Sequence, residues 1–174
     1  MPRRIPTLAA AVLALTLTAC GDDPQSITDL NPDFTVTEEA VDGGTVLVVG
    51  TTSAGFSPYM DVVDLGVDME RIGRFIAAHP DKHPGVTSVR LEVTTPTQNR
   101  LGHAGKTRSM NLVMDRTTIA KINYENMTTW GMLNLTTPTV LHPVGRQLIA
   151  GYCEDDTAME YSPDFCLAVL LSPR

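Results

Sequence analysis

Gly43-Gly44-Thr45-Val46-Leu47-Val48-Val49-Gly50 is the stretch on which the fold turns. The run is rich in β-branched residues and bracketed by glycines, so it reads as a short buried strand. Upstream, residues 34–37 offer another short strand. Downstream, past a Gly/Ser/Pro loop, Asp68 reads as the cap of a helix. Its apolar positions Met69, Ile72, Phe75 and Ile76 share one face, and Pro80 ends it. Residues 86–94 alternate, with Val86, Val89, Leu91 and Val93 apolar and Arg90 and Glu92 polar. They read as a strand joined to a second one, residues 109–114, through a loop holding Pro96, Gly102 and Gly105. Asp115 or Thr117 then caps a helical stretch running to about Leu135, with a break at residues 123–126. Residues 146–152 and 165–171 read as two further strands flanking an acidic loop. The sum is an α+β class chain: a single small domain with an antiparallel sheet and two helical segments.

Composition narrows the function. The chain has 174 residues, a net charge of −7, 43% hydrophobic residues and 5% aromatic residues. That hydrophobic fraction is too high for a disordered chain. The negative balance argues against nucleic acid as a partner, because phosphate neutralisation needs clustered Lys and Arg.

The amino terminus reads as an address. Arg3 and Arg4 precede an apolar run over residues 8–19, too short for a permanent transmembrane helix, which needs roughly 20 residues. The run suits the core of a signal peptide and ends in Leu17-Thr18-Ala19-Cys20. This ending resembles the lipobox of bacterial lipoproteins, and the resemblance covers only about the first 20 residues. It implies cleavage before Cys20, a lipid on the Cys20 thiol, and a mature chain held on a membrane. The expected organisation is a signal peptide over 1–19, a lipidated tether over 20–33 and a single α+β domain over 34–174. The tether is expected to be solvated, since it is polar and carries Pro24 and Pro32. Gly21 rather than Asp follows the cysteine, which implies the outer membrane facing the periplasm in a diderm host and the cell surface in a monoderm.

Export agrees with cysteine use. With Cys20 lipidated, Cys153 and Cys166 remain as an even pair in an oxidising compartment, which predicts a disulfide. The alternative is two free buried thiols. No Cys-x-x-Cys is present to suggest thioredoxin-like chemistry.

Motifs of catalysis or cofactor binding are incomplete. Gly105-Lys106-Thr107 matches the end of a phosphate-binding loop, but Arg100 stands where the first glycine belongs and a strand follows. Thr51-Thr52-Ser53-Ala54-Gly55 resembles a nucleophile elbow with its first glycine replaced, and no spacing ties Ser53 to His103, His142 or Asp115. His79 and His83 have the i, i+4 spacing of metal ligands, but Pro80 interrupts the helix that this spacing requires. Glu154, Asp155, Asp156, Glu160 and Asp164 lack the pattern of a calcium loop. No catalytic residue, metal ligand or cofactor is assigned from these.

The broadest signal is charge segregation. Residues 20–70 contain eleven acidic residues and no Lys or Arg, whereas residues 90–121 hold Arg90, Arg100, Lys106, Arg108, Arg116 and Lys121 against Glu92 and Asp115. A basic loop on an acidic body suits an anionic envelope partner or a protein. Arg100, Lys106 and Arg108 are the candidate contacts. Trp130, the single tryptophan, is a fourth candidate if exposed, and core packing is its alternative role. The expectation is a lipid-anchored binding or interaction module of the cell envelope. The competing expectation is a small envelope hydrolase using Ser53 with a histidine.

Overall fold

The computed structural model describes residues 23–171. The expected signal peptide over 1–19, Cys20 and the three carboxy-terminal residues lie outside the described residues. The Thr45–Val49 run forms the centre of β2 (Gly44–Thr52), with Leu47 and Val49 fully buried. β1 (Thr35–Val41) pairs antiparallel with β2 across a tight turn, Val41 opposite Gly44. Gly43 supplies the positive φ of +94° that this turn requires.

Helix α1 (Pro58–Ala78) follows β2. It starts ten residues before the expected cap at Asp68. Ser57 is the N-cap, accepting from the Met60 N–H at 3.2 Å, and Pro58 takes the first helical position, where its missing N–H costs nothing. Asp68 lies in the helix interior. The buried stripe runs Val62, Leu65, Met69, Ile72, Phe75 and Ile76, the 3–4 spacing of a helix face laid on a core.

β3 (Val86–Gln98) and β4 (Ala104–Asp115) form the expected hairpin, longer than its sequence alternation alone indicated. β3 pairs parallel with β2, because α1 carries the chain back to the starting edge before β3 begins. The sheet is therefore mixed rather than purely antiparallel. Its order is β1-β2-β3-β4-β5, with β5 (Thr137–Val140) antiparallel to β4.

The expected second helix resolves into two short ones, α2 (Arg116–Ile119) and α3 (Thr129–Asn134). The two carboxy-terminal strands expected at 146–152 and 165–171 are helices instead: α4 (Pro143–Cys153), α5 (Asp156–Tyr161) and α6 (Pro163–Leu170). The reason is visible in burial. Leu148, Ile149, Tyr152 and Cys153 are buried at helical rather than alternate spacing, and prolines sit at the first position of α4 and α6. Tyr152 and Phe165 meet edge to face at 5.8 Å. The Tyr152 hydroxyl bonds Ser162 Oγ at 2.7 Å, which satisfies a buried polar tip.

The residues of the central strands that face the helices, among them Leu47, Val49, Val89, Leu91, Val93, Met110 and Leu112, form one core with α1, α3, α4 and α6. The opposite face carries charged side chains: Arg90 bonds Glu39 and Glu92, and Glu92 also pairs with Arg108. The segment 23–33, expected as part of a solvated tether, is not solvated throughout. Ile27, in a 3-10 turn (Ile27–Asp29), is only 2% exposed and belongs to the core, so residues 23–33 include a strap laid against α1. Lys82 fixes its beginning by donating to the Gln25 carbonyl.

Candidate functional site

The parallel β2–α1–β3 unit gives the molecule two distinct ends. β2 finishes at Thr52 opposite Thr94, and α1 starts there. A helix of 21 residues runs about 31 Å, so the end of α1, the loop to β3 and the start of the strap occupy the other end.

Three features gather at the first end. One is a ribbon. β2 accompanies β3 only as far as Thr94, and β5 accompanies β4 only from Met110 to Val113. Thr95 to Gln98 therefore pair with Ala104 to Thr107 alone, Thr95 opposite Thr107 and Pro96 opposite Lys106. Four strand residues at about 3.4 Å each project this ribbon roughly 13 Å past the sheet. Its turn is built: Asn99 Oδ1 accepts from the N–H groups of Leu101 and His103 at 2.9 and 3.0 Å, and Gly102 takes φ +83°. Leu101 at the tip is 82% exposed. No Asp or Glu occurs between Val93 and Met114. Arg108 is neutralised by Glu92 on the open sheet face, whereas Arg100 and Lys106 are exposed and form no ion pair among the described residues.

The second feature is a cleft of about 250 Å³ between the end of β2 and the first half of α1. Asp61, Asp64 and Asp68 reach it from one helix face, with Thr51, Ser53 and Arg71 beside them. Asp61 is 2% exposed, and both of its carboxylate oxygens accept from the Gly55 N–H at 3.1 Å. Burial pushes the Asp68 carboxyl up to about 6, against the opposing pull of Arg71 and a 3.4 Å hydrogen bond from Thr51 Oγ1. The sequence signal for this cleft was present in the i, i+3, i+7 spacing of the three aspartates. It becomes readable only once the helix is known to begin at Ser57 and Pro58.

The third feature is a buried chain of hydroxyls. Ser53 Oγ donates to Thr95 Oγ1 at 3.3 Å, Thr95 donates to Ser109 Oγ at 2.8 Å, and Ser109 donates to the Val93 carbonyl at 3.1 Å. Each proton is thus committed to the next oxygen, and the chain ends on a backbone acceptor. Ser53 lines the cleft but meets a threonine rather than a histidine. His103 stands in the ribbon turn, and His142 caps α4 by accepting from the Val144 N–H at 3.3 Å.

Trp130 is half-buried on α3, in the helical layer. Its indole N–H donates to the Tyr59 hydroxyl at 3.3 Å, and its ring leans on Tyr161 at 6.5 Å. It belongs with the aromatic residues of α1 and α5 and does not join Arg108, which lies on the opposite face of the sheet. Cys153 and Cys166 form a disulfide with Cα atoms 5.7 Å apart, tying the end of α4 to α6 across α5. His83 bonds Glu38 at 2.9 Å, and His79 bonds the Phe75 carbonyl at 2.9 Å. Among the described residues no group of three or more His, Cys, Asp or Glu is arranged to hold a metal, and no helix is long and apolar enough to cross a membrane.

Comparison with protein-family models, with characterised proteins and with solved structures yields no match to this chain. What the fold itself defines is a small α+β domain, one mixed sheet covered on one face by helices, with a basic ribbon at one end.

Proposed function

We propose that this chain is a lipid-anchored interaction module of the bacterial cell envelope, tethered through Cys20 and using the β3–β4 ribbon to hold an anionic partner. One observation carries the reading. The described chain begins at the end of the molecule opposite the ribbon, so a membrane anchor preceding Asp23 leaves Arg100, Leu101 and Lys106 facing outward. Exposed, unpaired cations around an exposed leucine on an ordered turn are what an anionic surface with some apolar character would engage. The Cys153–Cys166 bond accords with an oxidising compartment outside the cytoplasm. Ser53 donates to Thr95, and no histidine lines its cleft among the described residues, which weighs against the alternative of a hydrolase pairing Ser53 with a histidine.

The test has two arms. Cys20→Ala is expected to abolish a lipid-sized mass increment and to release the protein from membranes; unchanged mass and fractionation would remove the anchor. With the anchored chain reconstituted in neutral vesicles, Arg100→Glu/Lys106→Glu is expected to weaken binding to an anionic envelope polymer by about tenfold or more at low salt, with loss of salt sensitivity. Equal binding by the charge-reversed chain would overturn the role of the ribbon.

A further inference from the structure

At the end opposite the ribbon, a groove of about 440 Å³ opens between the strap and the second half of α1. Pro24, Leu30, Phe75 and Ala78 make an apolar floor, and Arg71 and Arg74 stand at its rim, both exposed. Lys82 adds a third cation, its ammonium 5.1 Å from the centre of the Phe75 ring. Arg74 is held in place by bonds to Glu70 at 3.0 Å and to the Tyr124 carbonyl at 2.7 Å, and it stacks over the Tyr124 ring at 5.3 Å. Among nearby acids, Asp23 also lines the groove, Asp68 and Asp64 stand beside Arg71 in the neighbouring cleft, Glu70 is paired to Arg74, and Asp29 is turned into the strap, accepting from the Gln25 and Ser26 N–H groups at 2.8 Å each. An apolar floor with a cationic rim fits an amphiphile with an anionic head.

The position of the groove says which amphiphile. Asp23 is three residues after Cys20, and three residues of extended chain reach at most about 10 Å. A lipid on Cys20 would therefore set the bilayer surface directly beside the groove. We infer that this groove is the membrane-facing surface of the domain: an anionic phospholipid of the anchoring leaflet seats its glycerol and upper acyl chain against Phe75 and Ala78, with its phosphate between Arg71 and Arg74. The inference rests on the reading of Cys20 as the anchor and adds to it an orientation, because an acyl chain alone holds a domain near a membrane without choosing the face it presents. Basic residues beside the anchor make that choice in favour of anionic lipid.

Photo-crosslinking tests it. The acylated full chain is placed in phosphatidylcholine vesicles doped with phosphatidylglycerol bearing a diazirine near the head of its acyl chain, and the adducts are mapped by peptide mass. Adducts are expected on residues 72–82, and Arg71→Glu/Arg74→Glu is expected to reduce them at least about tenfold in a chain that circular dichroism shows to remain folded. Adducts concentrated on the ribbon, spread without preference, or unaffected by charge reversal would overturn the inference while leaving the anchor intact. A chain whose intact mass shows no lipid removes the anchor, and the membrane-facing role of the groove goes with it.

Discussion

Gly145, on the first turn of α4, lies against the carbonyl of Ser109 so closely that a Cβ there would stand 2.3 Å from the oxygen. The same oxygen accepts the N–H groups of Leu141 and His142 at 2.9 and 3.1 Å. The start of α4 is therefore clamped onto β4 by backbone alone, and neither side has a flexible group that can give way. Gly145→Ala is expected to lower stability by about 1–3 kcal/mol, overcoming the roughly 1 kcal/mol by which Ala is the better helix former. Urea titration checks it, and an unchanged midpoint would mean that the contact is looser than the structure has it.

The disulfide predicts a second loss. Cys153 and Cys166 are 13 residues apart, and closing a loop of that size restricts the unfolded chain by about 3 kcal/mol in the chain-entropy model. Reduction, or replacement of both cysteines by Ala, should lower the unfolding free energy by about that amount. The parent without reductant should also resist alkylation when denatured. Free reaction of both thiols in that experiment would show the bond to be missing.

Asp68 predicts a pH dependence of defined sign. Burial disfavours its charge and pushes its carboxyl up to about 6 in the folded state, from an ordinary 3.8. Between those values the folded state keeps a proton that the unfolded state has lost, so this group's contribution falls as pH rises from about 4 to about 6. Below that window it is neutral in both states and costs nothing. Asp68→Asn should therefore match the parent at pH 3.5–4, gain over it through the window and hold a constant advantage above it. A difference that does not change with pH would show that Asp68 is not desolvated.

Asn111 on β4 predicts a gain. Its Oδ1 is buried and, among the described residues, has no hydrogen-bond partner. An unsatisfied buried acceptor is a cost that an apolar side chain of similar size avoids. Asn111→Val, a good strand former, is expected to be neutral or to stabilise by up to about 1 kcal/mol, read from the thermal midpoint. A loss of more than that amount would point to a partner for the amide.

The parts of the fold governed by local pattern were legible. The Thr45–Val49 run and the alternation of Val89, Leu91 and Val93 gave the central strands, and Met69, Ile72, Phe75 and Ile76 marked the buried face of α1. The start of that helix was obscured because Ser57 and Pro58 sit in a glycine- and serine-rich segment that also reads as loop, while Asp68 mimics a cap. The carboxy-terminal third misled for a different reason. Leu148-Ile149 and the apolar run from Phe165 to Leu171 are short enough to pass for strands, and only burial at helical spacing under the sheet distinguishes them. Among the candidate contact residues, Arg100 and Lys106 stand exposed as expected, Arg108 is neutralised by Glu92, and Trp130 turns into the helical layer. The strap was hidden because one apolar residue, Ile27, inserts into the core from an otherwise polar segment.

The ribbon is continuous with β3, the strand at the centre of the sheet. A pull on its tip resisted at the beginning of the chain acts along the strand direction. The hydrogen bonds joining β3 to β2 then bear the load together, sideways, instead of parting one at a time. Loaded between those two points, the domain would hold at its middle and yield first where the strap lies along α1.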